Sequence, residues 1–404
     1  MKTTRLSSLS PALLLLIIAP LACFASSSVG FRGYSLTELY AFEDASSTQH
    51  QQLYQTLFFK IERLNEHRLT LVAHLRYQGD SADDFAESGA FKLHNLYLRW
   101  ANRRHFDFRL GRQFLAEGVG FGTYDALRLN FSPVPWGSAT VWGGLAAPSD
   151  RTAELQKFDD ARALGLALRG RIKDRVNLVG SLLREDRGGR QFRHRAGISG
   201  TAKLLSDLHA AALVYLNTSG PATLHRARLL LRYGPVKRLR LFGEFALGTP
   251  QLPVDSPFEF VEIEATELVR LGGAYNIYKE YWLGLKAQSF LSSEEPNTAL
   301  GISLEGPWGS LGFRQRFGDY GDESGVFGAA RYSVTGYAQV YAAADFSTYK
   351  FEDLDEENQT AAQAGLRLFP LQALWIDASI QGLKNDQFDQ DIRGLLRVKW
   401  SFSN

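Results

Sequence analysis

Stretches of about ten residues in which apolar and polar side chains take turns recur to the C-terminus, and that period leaves room for little except β-strands with two unlike faces. Phe106, Phe108 and Leu110 alternate with Asp107, Arg109 and Gly111; after a Gly-rich link, Leu127, Leu129 and Phe131 alternate with Ala126, Arg128 and Asn130. The same phase runs through Leu69 to Gln78, Leu164 to Arg169, Leu239 to Leu247, Val269 to Ile277, Leu374 to Gln381 and Leu396 to Phe402. It is blurred over Phe31 to Phe42, Phe91 to Trp100 and Thr140 to Ala147. Ten residues is about the length a tilted strand needs to cross a bilayer.

The connections decide between a soluble sandwich and a barrel in a membrane. Two kinds take turns. One is tight, at Asn65-Glu66-His67, Asn102-Arg103-Arg104, Pro133 to Gly137, Lys173-Asp174, Ser206-Asp207, Gly234 to Lys237, Lys279-Glu280, Gly306 to Gly309, Thr335-Gly336 and Pro370 to Ala373. The other is longer and acidic, as in Gly79 to Glu87, Pro148 to Asp160, Gly248 to Glu267, Ser292 to Asn297, Gly318 to Gly325, Glu352 to Gln359 and Lys384 to Asp391. Tight turns at one rim and long loops at the other describe an outer-membrane barrel. The fold class expected is all-β: one large antiparallel transmembrane β-barrel of about 22 strands, or roughly 16–18 if the blurred ones merge. A propeller or solenoid would repeat a motif at fixed spacing, and none is present.

Residues 1–25 read as a secretory signal peptide: Lys2 and Arg5, an apolar run from Pro11 to Cys23, then the small-x-small site Cys23-Phe24-Ala25. A lipoprotein reading of Leu21-Ala22-Cys23 is disfavoured by Pro20, where an aliphatic residue is usual. Residues 26–404 then form the barrel. With the signal removed the chain has no cysteine, hence no disulfide and no thiolate chemistry. It also loses two of its 45 basic residues, which leaves 43 against 43 acidic ones. That balance gives a nucleic-acid partner no support. The expected location is the outer membrane, with lipid and lipopolysaccharide around the barrel.

Strand phase projects a set of arginines to the lumen: Arg76, Arg109, Arg128, Arg169, Arg195, Arg228, Arg232, Arg240, Arg270, Arg314, Arg316, Arg331, Arg367, Arg393 and Arg397. A charge facing lipid at mid-depth costs about 2–4 kcal/mol, so a barrel requires this placement. The clearest acids on that face are Glu62, Asp107, Glu244, Glu305 and Asp377, too few to pair them all. A basic surplus favours anions, with Arg314, Arg316 and Arg367 as expected determinants. Loop acids such as Asp83, Asp84, Asp159, Asp160, Glu294, Glu295, Asp322, Glu323, Asp353, Asp355, Glu356 and Glu357 read as a solvated rim. No spacing typical of a Ca²⁺ loop is present, so no metal or other cofactor is expected. None of the eight histidines sits in a H-E-x-x-H motif, and no G-x-S-x-G occurs, so no catalytic residue is assigned. The function expected is passive passage of a hydrophilic solute. The alternatives are an outer-membrane enzyme, or a structural or adhesive barrel with a plugged lumen.

Two inserts could narrow the lumen: the loop Gly248 to Glu267, with Pro250, Pro253 and Pro257, and the Gly-rich stretch Glu117 to Gly122. Around the second, Leu110-Gly111-Arg112-Gln113 and Tyr124-Asp125-Ala126-Leu127-Arg128-Leu129 resemble the alginate-export family of outer-membrane porin-like barrels. The resemblance touches Gly111, Arg112, Gln113, Gly118 and Asp125 and implies a barrel for export of polysaccharide. The last strand resembles the aromatic-ended assembly signal of outer-membrane proteins through Leu396, Val398, Trp400 and Phe402, which implies the barrel-assembly machinery as a partner. Here the final aromatic stands two residues before the end.

Overall fold

The computed structural model describes residues 29–44, 48–64, 68–80, 89–102, 105–249, 265–291, 296–318, 321–350, 356–385 and 388–404. The expected signal peptide, residues 1–25, lies outside them, as does most of the Gly248 to Glu267 loop. Twenty-two strands form one antiparallel sheet. The first eleven are β1 (Gly30–Glu43), β2 (Gln49–Leu64), β3 (Leu69–Asp80), β4 (Ala90–Asn102), β5 (Phe106–Glu117), β6 (Gly120–Val134), β7 (Gly137–Ala146), β8 (Arg162–Ile172), β9 (Val176–Arg187), β10 (Arg190–Lys203) and β11 (Leu208–Asn217). The rest are β12 (Thr223–Val236), β13 (Leu239–Gly248), β14 (Thr266–Tyr278), β15 (Tyr281–Phe290), β16 (Asn297–Gly306), β17 (Gly309–Phe317), β18 (Asp322–Thr335), β19 (Ala338–Lys350), β20 (Glu357–Leu371), β21 (Leu374–Asn385) and β22 (Phe388–Ser403). Among the described residues one short helix, α1 (Phe158–Ala161), precedes β8.

Each strand pairs with the next in sequence, and β22 returns to pair with β1, from Arg32 opposite Ser403 to Ala41 opposite Gly394. Closure removes both sheet edges, which a bilayer without water could not hydrogen-bond. The ten tight turns read from the sequence all fall between strands at one rim, and the start of β1 and the end of β22 lie at that rim too. The other rim carries the longest connections, as between β7 and β8 and between β13 and β14, but β5–β6, β9–β10 and β21–β22 are joined by two residues each. The expected acidic loops Gly318 to Gly325 and Lys384 to Asp391 thus prove shorter, because strand pairing runs into them. Even the shortest strand, β17, has nine residues, enough to span.

The outer face is apolar and exposed. Leu110, Leu129, Leu168, Leu182, Ile198, Leu271, Leu311, Val326, Leu366 and Ile392 all point away from the lumen with 41–58% of their surface uncovered. A soluble sheet would bury such a face. Here it encircles the molecule, and lipid is the solvent that accepts it, so this is a transmembrane β-barrel.

The strands with blurred phase are present, and each blur has a cause. In β4 the register shifts between His74 and Leu75, where a bulge takes in His94. In β7 the lumen side carries Trp142 and Ala146, which are buried under an inserted hairpin, so both faces read as apolar. In β1 the outer side includes Ser35 and Thr37, which bond with Gln55 on β2.

The seam is held by more than the ladder. Asn404 N–H donates to the Phe31 carbonyl at 3.0 Å, and its side-chain oxygen accepts from Phe31 N–H at 2.6 Å. The Phe402 ring stacks on Phe31 with centroids 5.1 Å apart, lying across Gly33. A Cβ on Gly33 would stand 2.7 Å from that ring and 2.2 Å from the Phe58 carbonyl oxygen. Gly33→Val should therefore overpack the seam by about 1–3 kcal/mol. Gly382→Val, where an added Cβ meets nothing within 4 Å, should stay within about 0.5 kcal/mol. The urea midpoint of the folded-to-unfolded gel-mobility transition checks both; equal midpoints would contradict this account of the seam.

Candidate functional site

The wall of the barrel is interrupted where the sequence is richest in glycine. At Gly111, φ is +121°, and a Cβ there would stand 2.3 Å from the Leu96 carbonyl oxygen, so the position demands glycine. Beyond it the β5–β6 hairpin leaves the wall and folds into the lumen. Regular pairing continues along the hairpin itself, from Arg112 opposite Asp125 to Glu117 opposite Gly120. Its tip, however, comes to rest against strands far around the barrel. Val119 N–H donates to Ser181 Oγ on β9 at 2.9 Å, and Tyr215 of β11 donates its hydroxyl to the Gly118 carbonyl at 3.3 Å. Glu117 meets Arg128 at 2.7 Å and also binds Arg169.

Apolar packing holds the hairpin down. Leu115, Val119, Tyr124, Ala126, Trp142, Ala146, Ala161, Ala163 and Leu183 form one buried cluster on the lumen side. The Tyr124 and Trp142 rings lie 4.5 Å apart, and each is 1% exposed. Burying an aromatic side chain removes about 150–250 Å² from water, on the order of 4–6 kcal/mol at 25 cal/mol/Å². Tyr124 also donates its hydroxyl to Glu185 at 3.2 Å, so the ring carries no orphan polar atom into the cluster.

When the hairpin leaves the wall, β4 loses a neighbour over its upper half. The β7–β8 connection fills the place. Leu93 N–H donates to the Arg151 carbonyl at 2.8 Å, and Ala147 N–H to the Thr123 carbonyl at 2.9 Å. Arg112 locks the two rearrangements together. Its guanidinium grips Asp125 with two bonds of 2.8 and 2.7 Å, donates to the Glu154 carbonyl at 2.8 Å and also bonds the Thr152 carbonyl. With Arg112 2% exposed, this is a buried, fully engaged fork of the kind only arginine supplies. Gln113, 0% exposed, donates to the Ala126 carbonyl at 2.9 Å. Gly118 has φ +62° at the tip. The motif residues Gly111, Arg112, Gln113, Gly118 and Asp125 thus bend and latch an inserted hairpin. Its exposed face turns to the lumen with Phe114 and Phe121, whose rings meet edge to face at 4.9 Å.

The projected arginines fall on the lumen side, and most are not free. Arg109 binds Asp107 at 3.3 Å; Arg228 and Arg270 share Glu244 at 2.7 and 3.0 Å; Arg367 and Arg397 share Asp377 at 2.8 and 3.2 Å. Arg314 spans Glu323 and Asp345, Arg316 also reaches Glu323, and Arg393 binds Asp391. With Arg128 and Arg169 on Glu117, ten of the fourteen pore arginines other than Arg195 have a carboxylate. The lumen acids are still too few to pair them all, but they engage more arginines than the five clearest acids alone would. Glu117, Asp345 and Asp391 join the five clearest acids because the closed barrel turns them toward these arginines. Glu323, read as a solvated loop acid, is an inward residue of β18. Arg314, Arg316 and Arg367 are accordingly not the free charges expected of them.

Sharing keeps a surplus nonetheless. Those ten arginines divide seven carboxylates: Asp107, Glu117, Glu244, Glu323, Asp345, Asp377 and Asp391. Arg76, Arg232, Arg240 and Arg331 have no carboxylate among the described residues; Arg76 packs over Tyr54 at 4.3 Å and Arg240 over Trp282 at 4.0 Å. Along β12 to β18 the inner wall borders a cavity of about 1050 Å³ whose lining includes Arg232, Arg240 and Lys286. His194, on the outer face, binds Asp186 at 2.8 Å. Among the described residues no group of three His, Asp or Glu is placed to hold a metal ion.

No protein-family model matches the sequence, and no curated protein matches it. The alginate-export resemblance therefore rests on its short motif alone. Solved structures align with the chain over most of its length. The P pilus usher (PapC) translocation pore aligns at 9% identity over 92% of this chain and 99% of its own, with a TM-score of 0.47. OccAB4 of Acinetobacter baumannii aligns at 10% identity over 94% and 99%, TM-score 0.46, and OpdQ of Pseudomonas aeruginosa at 10% over 94% and 100%, TM-score 0.47. At such identities nothing about their solutes or partners passes to this chain.

Arg112→Ala removes the latch and strands Asp125 under the β7–β8 loop, a change of about 3–5 kcal/mol for a broken buried pair. The barrel itself, closed elsewhere, should persist by circular dichroism. Single-channel conductance in planar bilayers should rise at least about twofold as the hairpin leaves the lumen. Unchanged conductance would show that the hairpin does not set the constriction.

Proposed function

We propose that the protein is an exported outer-membrane channel of the porin kind that passes small hydrophilic anions and has no catalytic role. The observation that carries this reading is the lumen charge: ten arginines share seven carboxylates, and Arg76, Arg232, Arg240 and Arg331 have none among the described residues, around a lumen narrowed by an inserted hairpin. A guanidinium stays protonated at physiological pH, and inside a low-dielectric wall its field is screened less than that of loop acids in water, which fades over about 8–10 Å. The inner field outweighs the acidic rim. The signal-like residues 1–25 support export, the apolar belt supports residence among lipid and lipopolysaccharide, and the aromatic-ended β22 supports handling by the barrel-assembly machinery. Polysaccharide is the less favoured cargo, because the folded hairpin narrows the path that a polymer would thread.

Reversal potential under a salt gradient tests this, with the sign expected for anion preference. Arg232→Gln, Arg240→Gln and Arg331→Gln together should lower the anion-to-cation permeability ratio severalfold, since none has a carboxylate to neutralise it. Arg367→Gln should do less, because Asp377 keeps Arg397. Cation selectivity in the unaltered protein would overturn the proposal.

A further inference from the structure

Charge on the outer side of a barrel wall needs a reason, and one cluster of it lies at the loop-side ends of β8, β9 and β10. Followed from the turn rim, the outer side of β8 carries Ile172, Leu168 and Leu164 and then Arg162, the first residue of the strand. On β9 the outward Leu178 and Leu182 give way to Arg184 and then Asp186, and on β10 Ile198 gives way to His194. Arg184 stands opposite Leu164 in one ladder and opposite His194 in the next. The apolar run therefore ends on all three strands at the loop-side boundary, where headgroups and water replace hydrocarbon and an outward charge costs little.

Asp186 organises the cluster. Its Oδ2 accepts from Arg162 Nε at 2.8 Å and from Arg184 Nε at 3.3 Å, and its Oδ1 lies 2.8 Å from His194 Nε2. The carboxylate side chain is 3% exposed beneath these partners, whereas Arg162 and Arg184 keep 45% and 59% of theirs uncovered. Each guanidinium gives Asp186 only its Nε, and the terminal N–H groups of both have no acceptor among the described residues. Asp159 and Asp160 of α1, just before Arg162 in sequence, pair with neither arginine among the described residues. Glu185 faces the lumen instead, where it binds Arg187 and Arg193. Two guanidiniums against one carboxylate leave a positive surplus, held in place directly above an apolar surface.

We infer that Arg162 and Arg184, positioned by Asp186 and His194, bind the phosphate of an outer-leaflet lipid headgroup whose acyl chains lie over Leu164 and Leu182. A phosphate offers several acceptor oxygens and negative charge to the free guanidinium edges, the partner that such forks engage most strongly. A lipid-borne phosphate fits better than a dissolved one, because the exposed leucines beside the arginines bury hydrocarbon at the same time. This inference rests on the reading of the chain as an outer-membrane barrel with its loop rim outward, and is independent of conduction.

Native mass spectrometry of the purified barrel in non-ionic detergent, titrated with bisphosphorylated lipid A, tests it. One saturable lipid A per barrel is expected, at concentrations where the same lipid stripped of its phosphates does not bind. Arg162→Gln and, separately, Arg184→Gln should each weaken lipid A about fivefold or more. Arg171→Gln, which removes the same charge near the turn rim, should leave the affinity unchanged. Gel mobility confirms that each variant is folded, and with two site variants the misfolding of one leaves the other to decide. No saturable adduct, equal binding of the dephosphorylated lipid, retained affinity in both site variants, or an equal loss in Arg171→Gln would overturn the site. Inorganic phosphate that displaces lipid A at equal concentration would overturn the lipid as its occupant. An anion-selective barrel that binds no lipid A keeps the channel reading and loses this site; a cation-selective barrel that binds it does the reverse.

Discussion

A backbone placed in hydrocarbon must satisfy every N–H and C=O within itself, and the pairing of β22 with β1 is where this chain meets that demand. All other features presuppose it. Once the sheet is closed, one face of every strand is lipid-side and the other lumen-side, and the period of two sorts leucine from arginine without further instruction. The seam is also the contact of longest sequence separation, since residues near 31 meet residues near 403. The Phe31–Phe402 stack and the Asn404 bonds add side-chain energy where chain entropy opposes closure most.

A closed wall makes departures from it costly, which gives the inserted hairpin its meaning. Withdrawing part of β5 and β6 strips hydrogen bonds from β4, and the β7–β8 connection restores at least the one at Leu93. Burial of Tyr124 and Trp142 favours the inward position, while Arg112 ties the hairpin base to the covering loop. These parts depend on each other. Without the loop, Arg112 would lose two carbonyl acceptors; without Gly111, the chain could not turn so close to Leu96. A constriction assembled in this way is held at its base and its tip, and its exposed face presents two aromatic rings to whatever passes.

The lumen charges follow a similar logic of sharing. A carboxylate between two guanidiniums, as with Glu244 or Asp377, accepts several charge-assisted bonds and fixes both arginines against neighbouring strands. Each such triad is structurally stiff and still carries one net positive charge. Arg367 and Arg397 are further held by Trp375, over which both pack at 5.3–5.4 Å. Structural and electrostatic roles are therefore not alternatives for these residues.

Local period and connection length determined the strand count, the two rims and the side each arginine takes, because all three depend only on neighbours along the chain. Leu127-Arg128-Leu129 can be read without knowing what lies across the lumen. The blurred phase in β7 was itself a signal, since Trp142 and Ala146 are apolar on the polar side. What covers them could not be read, because the covering residues, Leu115 to Tyr124, follow the same alternation as a wall strand. Only the tertiary structure decided that this hairpin leaves the wall, that Arg112 latches it, and that Glu117, Glu323, Asp345 and Asp391 engage the pore arginines. The physical reason is distance: those partners are set by the curvature of a closed sheet, which brings together side chains from different strands, and one-dimensional alternation carries the facing of a residue but not its neighbour across the barrel.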